Sequence, residues 1–184
     1  MSLPVLFLDR DGIVNLDKGY ISKKQEFIFN ELIFEICKIF SSLRYKIIII
    51  TNQSGIGRGK IDIHAFHELN LWMLKEFEKK GIRIEFVVAS ALNPERNNPS
   101  EYEASRRKPL PGMFIDAGEI LPIDYQNSYM IGDKLSDGIA AQSAGVGTIF
   151  VVSEANSNYD SFIFIKSLEE LFDACKRLVR FNSE

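Results

Sequence analysis

The stretch Pro4-Val5-Leu6-Phe7-Leu8-Asp9-Arg10-Asp11-Gly12 decides the fold. An apolar run from Pro4 to Leu8 stops abruptly at a carboxylate, the pattern of a short parallel strand buried on both faces whose carboxyl end opens into a loop. Two carboxylates separated by one residue leave the sheet edge there. In an open α/β sheet that edge is where ligands bind. Negative charge crowded at a strand end is costly unless a cation or a reaction uses it. The pair therefore predicts that one carboxylate attacks, the second transfers a proton, and a divalent metal holds both.

Beyond this stretch the chain alternates. Ile13 to Phe29 is polar and mixed, with Gly19 and Tyr20 at its middle. Glu31 to Leu43 sets Leu32, Ile33, Ile36, Ile39, Phe40 and Leu43 on one helical stripe. Tyr45 to Ile50 is a β-branched strand ending in Thr51-Asn52-Gln53-Ser54-Gly55. Asp62 is placed to cap a helix running to about Lys80, with Gly81 as its stop. Ile84 to Ser90, Asn127 to Ile131 and Gly147 to Val152 read as further strands, and Phe162 to Ile165 as a short edge strand. Leu135 to Ala144 and Leu168 to Val179 read as helices, and another begins near Pro111. The segment from Ala91 to Pro111, about twenty residues rich in Asn, Pro, Glu, Arg and Ser, reads as a structureless functional or mobile loop. Strands alternating with helices predict a doubly wound, Rossmann-like α/β fold: a parallel sheet with helices on both faces, in a single domain over residues 1–184.

The 184 residues are 46% hydrophobic and 26% charged, which suits one globular domain of ordinary size. A net charge of -3 argues against a general polyanion-binding field, so no nucleic-acid partner is expected, while a phosphorylated small molecule remains compatible with a locally positive site. Cys37 and Cys175 sit in amphipathic segments and read as buried free thiols in a reducing compartment. No amino-terminal targeting pattern and no apolar stretch of spanning length is present, so a cytoplasmic protein without a membrane partner is expected.

Parallel strands direct their carboxyl ends to one side, so Asp9 and Asp11, Thr51 to Ser54, and Asp133 with Asp137 can meet in one crevice. The basic pair Arg107-Lys108 precedes the helix near Pro111 and can join them. This set suits phosphoryl transfer: a carboxylate nucleophile divides one displacement into two, magnesium takes hard oxygen ligands, and hydroxyls, backbone N–H groups and a lysine surround the transferring group.

Asp9-Arg10-Asp11-Gly12, Thr51-Asn52-Gln53-Ser54-Gly55-Ile56, Arg107-Lys108-Pro109-Leu110-Pro111-Gly112-Met113 and Ile131-Gly132-Asp133-Lys134-Leu135-Ser136-Asp137 resemble the ordered signatures of the haloacid dehalogenase (HAD) superfamily. Within it they are similar to the histidinol-phosphatase and heptose-bisphosphate-phosphatase branch, over nearly the whole chain. The resemblance implies a Mg²⁺-dependent phosphatase with Asp9 as nucleophile and Asp11 as general acid/base. It implies metal ligation by Asp9, the Asp11 backbone carbonyl and Asp133, and phosphoryl stabilisation by Thr51 and Lys108. Asn52, Gln53, Ser54 and Arg107 would contact substrate, and Gly19 and Tyr20 would line the pocket. Lys134 would neighbour the site. Asp137 is left open between metal binding through water and helix capping. Neither early interval has room for a large cap domain, so loops, with or without a partner subunit, would roof the pocket of a monomer or small homo-oligomer.

D-glycero-D-manno-heptose 1,7-bisphosphate losing its 7-phosphate is the leading implied substrate, and histidinol phosphate is the alternative. A phospho-acceptor or phosphate-binding regulatory module without turnover is the reading from a different class. Retention of Asp11 argues against it, because a stable phospho-acceptor needs no second acid/base. Relatives in the branch carry a zinc loop with a Cys-x-His and a Cys-x-Cys pair. Here Ser90 and Leu92, then Ala104 and Arg106, fall at those positions, so no structural zinc is expected.

Gly55-Ile56-Gly57-Arg58-Gly59-Lys60 fails the nucleotide-loop templates and reads as a tight exit from the second strand, with Arg58 placed to meet a distal substrate phosphate. His64 and His67 lack a third ligand and read as surface or packing residues; Trp72, Phe66 and Met73 read as helix packing. Lys23-Lys24 and Lys79-Lys80 read as solvated charge.

Overall fold

The structure, a computed structural model, describes residues 2–153 and 159–181. Six strands form one parallel sheet: β1 (Val5–Leu8), β2 (Lys46–Asn52), β3 (Phe86–Ser90), β4 (Tyr129–Gly132), β5 (Thr148–Val152) and β6 (Ile163–Ile165), in the order β3-β2-β1-β4-β5-β6. The helices are α1 (Leu32–Ser42), α2 (Ser54–Gly57), α3 (Ile63–Lys79), α4 (Glu101–Ser105), α5 (Gly112–Ile120), α6 (Leu135–Ser143) and α7 (Leu168–Phe181). After β1 the chain fills one side of the sheet through β3, then returns to the opposite side of β1 with β4. That reversal makes the β1/β4 boundary the topological switch point, where an open parallel sheet leaves a crevice.

The strands owe their burial to alternation. Leu6, Leu8, Ile47, Ile49 and Ile131 enter one core with Ile33, Ile36 and Phe40 of α1, Leu69, Met73 and Phe77 of α3, and Leu171 and Cys175 of α7. Val5, Phe7, Ile48, Ile50 and Met130 enter the other with Met113, Phe114 and Ala117 of α5 and Ala140 and Ala141 of α6. Successive side chains of a strand face opposite ways, so continuously apolar strands are what a sheet covered on both faces requires. The same burial leaves Cys37 and Cys175 as free thiols.

Local signals set most boundaries. The Asp62 carboxylate accepts from the N–H groups of His64 (2.9 Å) and Ala65 (3.0 Å), capping α3. His64 and His67 are exposed, whereas Trp72 packs edge-on against Phe27, with ring centroids 5.6 Å apart. Lys79 reaches Glu76 at 2.7 Å, but Lys80 is less free than expected, its ammonium lying 4.4 Å above the Phe34 ring.

Two expectations need correction. The loop from Ala91 to Pro111 is not structureless: α4 interrupts it, begun by a capping box in which Ser100 and Glu103 satisfy each other's backbone N–H groups. The polar run after β1 also contributes to the core, burying Ile13, Val14, Ile21 and Phe27. Asn30 Nδ2 pins it by donating to the carbonyls of Gly12 (3.1 Å) and Ile13 (2.9 Å).

Candidate active site at the sheet switch point

Asp9 leaves β1 and Asp133 leaves β4, so the two carboxylates emerge side by side at the point where the sheet reverses. Asp137, three residues after Lys134 on α6, joins them, and one oxygen from each of Asp9, Asp133 and Asp137 lies within 4.8 Å of the others. Two glycines permit this approach. A Cβ on Gly12, whose φ is +101°, would fall 2.3 Å from Asp133 Oδ2, and one on Gly132 would fall 2.3 Å from Asp137 Cβ.

Lys108 is nearly buried between two of these acids. Its Nζ lies 2.7 Å from Asp9 Oδ1 and 2.6 Å from Asp137 Oδ1, and donates to the Ile50 carbonyl at 2.9 Å. The lysine's backbone is fixed separately: its N–H donates to Asn52 Oδ1 and its carbonyl accepts from Asn52 Nδ2, both at 3.1 Å, beside a cis Lys108–Pro109 bond.

Asp11 occupies a different environment. Its carboxylate accepts from Arg10 (Nη2, 3.0 Å), Asn15 Nδ2 (3.0 Å) and Gln53 Nε2 (2.7 Å), and Gln53 also donates to Thr51 Oγ1 at 2.9 Å. Arg10 is fully buried, and its guanidinium carbon lies 6.0 Å and 5.8 Å from the ring centroids of Phe27 and Phe66. A buried guanidinium paired in this way fixes the carboxylate's orientation from behind.

The electrostatics follow from counting. Three carboxylates share two ammonium groups, the buried Lys108 beside Asp9 and Asp137 and the half-exposed Lys134 at 3.5 Å from Asp133, so acids outnumber cations. Burial, with repulsion from Asp137 and Asp133, outweighs the attraction of Lys108 and raises the Asp9 carboxyl from 3.8 to about 8. Burial likewise raises the Asp133 carboxyl, with Asp137 adding to it. Burial disfavours the Lys108 ammonium, yet Asp9 and Asp137 hold its pKa above the ordinary lysine value. The Asp133 Oδ1 atom is buried without a hydrogen-bond partner. An unpartnered buried carboxylate oxygen within an acidic cluster fits a hard divalent cation.

A cleft of about 170 Å³ opens over these groups, lined among others by Asp9, Asp11, Gly19, Tyr20, Thr51, Asn52, Gln53, Ser54 and Lys108. These nine residues, with Lys134 and Asp137, are eleven of those expected from the sequence that share one cavity. Arg58 and Arg107 lie off its wall: Arg58 pairs with Glu95, and Arg107 Nη1 donates to the Leu92 carbonyl at 3.3 Å. Lys134 lines the cleft and spans its mouth, 3.1 Å from Asp17 Oδ2. Asp137, left open by the sequence, caps α6 by accepting from the Lys134 N–H at 3.0 Å while it also meets Lys108. Sequence reasoning missed Arg10, Asn15 and Asp17. For Arg10, the signal was an arginine flanked by two aspartates immediately after a buried strand.

Comparison with known proteins agrees with this geometry. The family model described as HAD-hydrolase-like matches residues 105–162. The chain is 40% identical over 153 residues to D-glycero-beta-D-manno-heptose-1,7-bisphosphate 7-phosphatase of Vibrio cholerae, covering 83% of this chain and 82% of the relative. It is 39% identical over 176 residues to D-glycero-alpha-D-manno-heptose-1,7-bisphosphate 7-phosphatase of Campylobacter jejuni, covering 96% and 98%. The crystal structure of D,D-heptose 1,7-bisphosphate phosphatase from B. bronchiseptica, complexed with magnesium and phosphate, shares the fold with a TM-score of 0.81 at 22% identity, covering 96% of this chain and 99% of that one. A buried lysine between the carboxylates of Asp9, at the end of β1, and Asp137, in the first turn of α6, the expected motif order and these relatives lead to one assignment: the chain belongs to the haloacid dehalogenase superfamily, as a phosphatase of the branch that holds the heptose-bisphosphate phosphatases.

Proposed function

We propose that the protein hydrolyses a small phosphorylated sugar through an aspartyl-phosphate on Asp9. The observation that carries this reading is the Asp9 carboxylate at the end of β1, nearly buried, 2.7 Å from Lys108 Nζ and open to the cleft. Asp9 attacks phosphorus as the ester P–O bond breaks, and Asp11 gives a proton to the departing alkoxide. Asp11 then takes a proton from water, whose oxygen attacks phosphorus. Inorganic phosphate leaves and the Asp9 carboxylate is restored.

Arg10, Asn15 and Gln53 hold Asp11 in place for both transfers. Thr51 and Lys108 face the transferring group with a hydroxyl and an ammonium. Gly19, Tyr20, Asn52, Gln53 and Ser54 border the substrate, and Arg107 and Arg58 stand beyond it. Asp9, Asp133 and the Asp11 backbone carbonyl would hold Mg²⁺, with Asp137 beside them, and the ion would neutralise charge on the phosphoryl oxygens. No structural zinc is required. The positions that would supply its ligands hold Ser90, Leu92, Ala104 and Arg106, and Arg106 instead pairs with Asp116 at 2.5 Å.

Identity to the two 7-phosphatases supports heptose 1,7-bisphosphate as substrate and the 7-phosphate as the group removed. The test is phosphate release by purified protein, with Mg²⁺ and with EDTA. The substrates are both anomers of heptose 1,7-bisphosphate, histidinol phosphate and short 3′-phosphorylated oligonucleotides. A preference for one heptose anomer that EDTA abolishes is expected. Similar slow rates on every compound would remove the heptose assignment, and stoichiometric labelling without turnover would remove the hydrolase reading.

A further inference from the structure

Arg58 does not face solvent as a free cation. Its Nη1 and Nη2 atoms lie 2.7 Å and 2.9 Å from the two oxygens of Glu95, a bidentate pair joining the exit of β2 to the loop after β3. Glu95 is presented by a turn in which its N–H donates to Asn93 Oδ1 at 3.0 Å. The surroundings are basic. Lys60 Nζ lies 4.5 Å above the ring of Tyr20, which lines the cleft, and both Lys60 and Arg58 attract Glu95. Burial lowers the pKa of Arg107, and the nearby charge of Arg58 lowers it further. Among the described residues no carboxylate lies within ion-pair distance of Arg107. Of these three cations beside the cleft, one acid serves Arg58 and Lys60, none serves Arg107, and that acid lies on a loop.

We infer that Glu95 is a specificity-determining residue. Its carboxylate is a built-in counter-ion on Arg58 that the second anionic group of a bisphosphate substrate must displace. The inference rests on the phosphatase reading and adds a consequence: the protein binds bisphosphates less tightly than its cationic rim allows. A single-phosphate substrate has nothing to place at Arg58 and does not meet this competition. Displacement is feasible because the Glu95 side chain is 73% exposed and its pair with Arg58 is at the surface, where such pairs are weak. A phosphate dianion is the stronger partner for a bidentate guanidinium.

The experiment measures kcat and KM for wild type, Glu95→Gln and Glu95→Asp on heptose 1,7-bisphosphate and on heptose 7-phosphate. Glu76→Gln, in the exposed Lys79–Glu76 pair of α3, is the charge-matched control. Glu95→Gln is expected to lower KM for the bisphosphate about two- to fivefold relative to that for the monophosphate. Glu95→Asp stays near wild type in that ratio, and Glu76→Gln leaves it unmoved. Equal shifts on both substrates, no shift, a shift reproduced by Glu76→Gln, or loss of kcat on the monophosphate would show Glu95 to be a strut or a bystander and overturn the inference alone. A wild-type protein that turns over neither compound would remove the phosphatase reading as well.

Discussion

The floor of the cleft and the loop of residues 91–106 beyond its wall are both held by ion pairs, but of opposite kinds. On the floor, Lys108 meets Asp9 and Asp137 with side-chain exposures of 2%, 7% and 1%, and Arg10 meets Asp11 from complete burial. On the loop, Arg58–Glu95 and Arg96–Glu103 lie at the surface, with exposures of 21%, 73%, 56% and 41%. A buried charge left without its partner is heavily destabilising, whereas an exposed one loses almost nothing. The groups on the floor are therefore fixed by buried pairs whose loss is costly, while the loop is adjustable at little cost to the fold.

The largest expected effect is on the floor. Asp9→Asn lowers phosphate release by about 10³-fold or more while the protein still unfolds cooperatively; near-normal turnover in that variant would reject Asp9 as nucleophile. Next, Lys108→Met lowers kcat by about 10²–10³-fold and stability by about 3–5 kcal/mol, because it leaves Asp9 and Asp137 facing each other without a cation. Urea unfolding alongside kinetics separates the two losses, and a fully stable variant would show that the buried pair does not brace the floor. Arg10→Met is expected to cost about 3 kcal/mol and to lower kcat more than it raises KM, since Arg10 lies behind Asp11 rather than on the cleft wall.

A smaller effect depends on pH. The Asp9 carboxyl is raised to about 8, so between its ordinary value of 3.8 and about 8 the folded protein retains a proton that the unfolded chain has released. Stability without metal therefore falls as pH rises through that window. A divalent cation reverses the balance, and Mg²⁺ should raise Tm more at high pH than at low pH, with protons released on binding. Thermal scans with and without Mg²⁺ check this; an equal increment at both ends would place the cation elsewhere. The smallest effect belongs to the loop of residues 91–106. Glu103→Gln should leave kcat unchanged and Tm within about 2 °C, while proteolysis between Leu92 and Arg106 becomes faster. A collapse in Tm would erase the contrast between floor and loop.

The floor was legible in the sequence because its residues follow strands that announce themselves. Leu6 to Leu8 and Ile47 to Ile50 are too apolar to lie anywhere but between two helical layers, and the groups after them must exit on one side. Asp137 was ambiguous because the same residue can cap a helix by local geometry and meet a lysine only by tertiary packing; it does both. Arg10 was missed because an arginine beside two aspartates reads as surface charge until Phe27 and Phe66 close around it. Within the loop, the capping-box spacing from Ser100 to Glu103 was present in the sequence, but the helix it opens has five residues, too few for an apolar stripe to show.

The reciprocal pair between the Asn52 amide and the Lys108 backbone has one more implication. It clamps the lysine to the end of β2 directly, so its location does not depend on the path the chain takes between residues 91 and 106. Changes of length in that interval are expected to leave Lys108 anchored at the end of β2, so the loop can vary without displacing the buried ammonium.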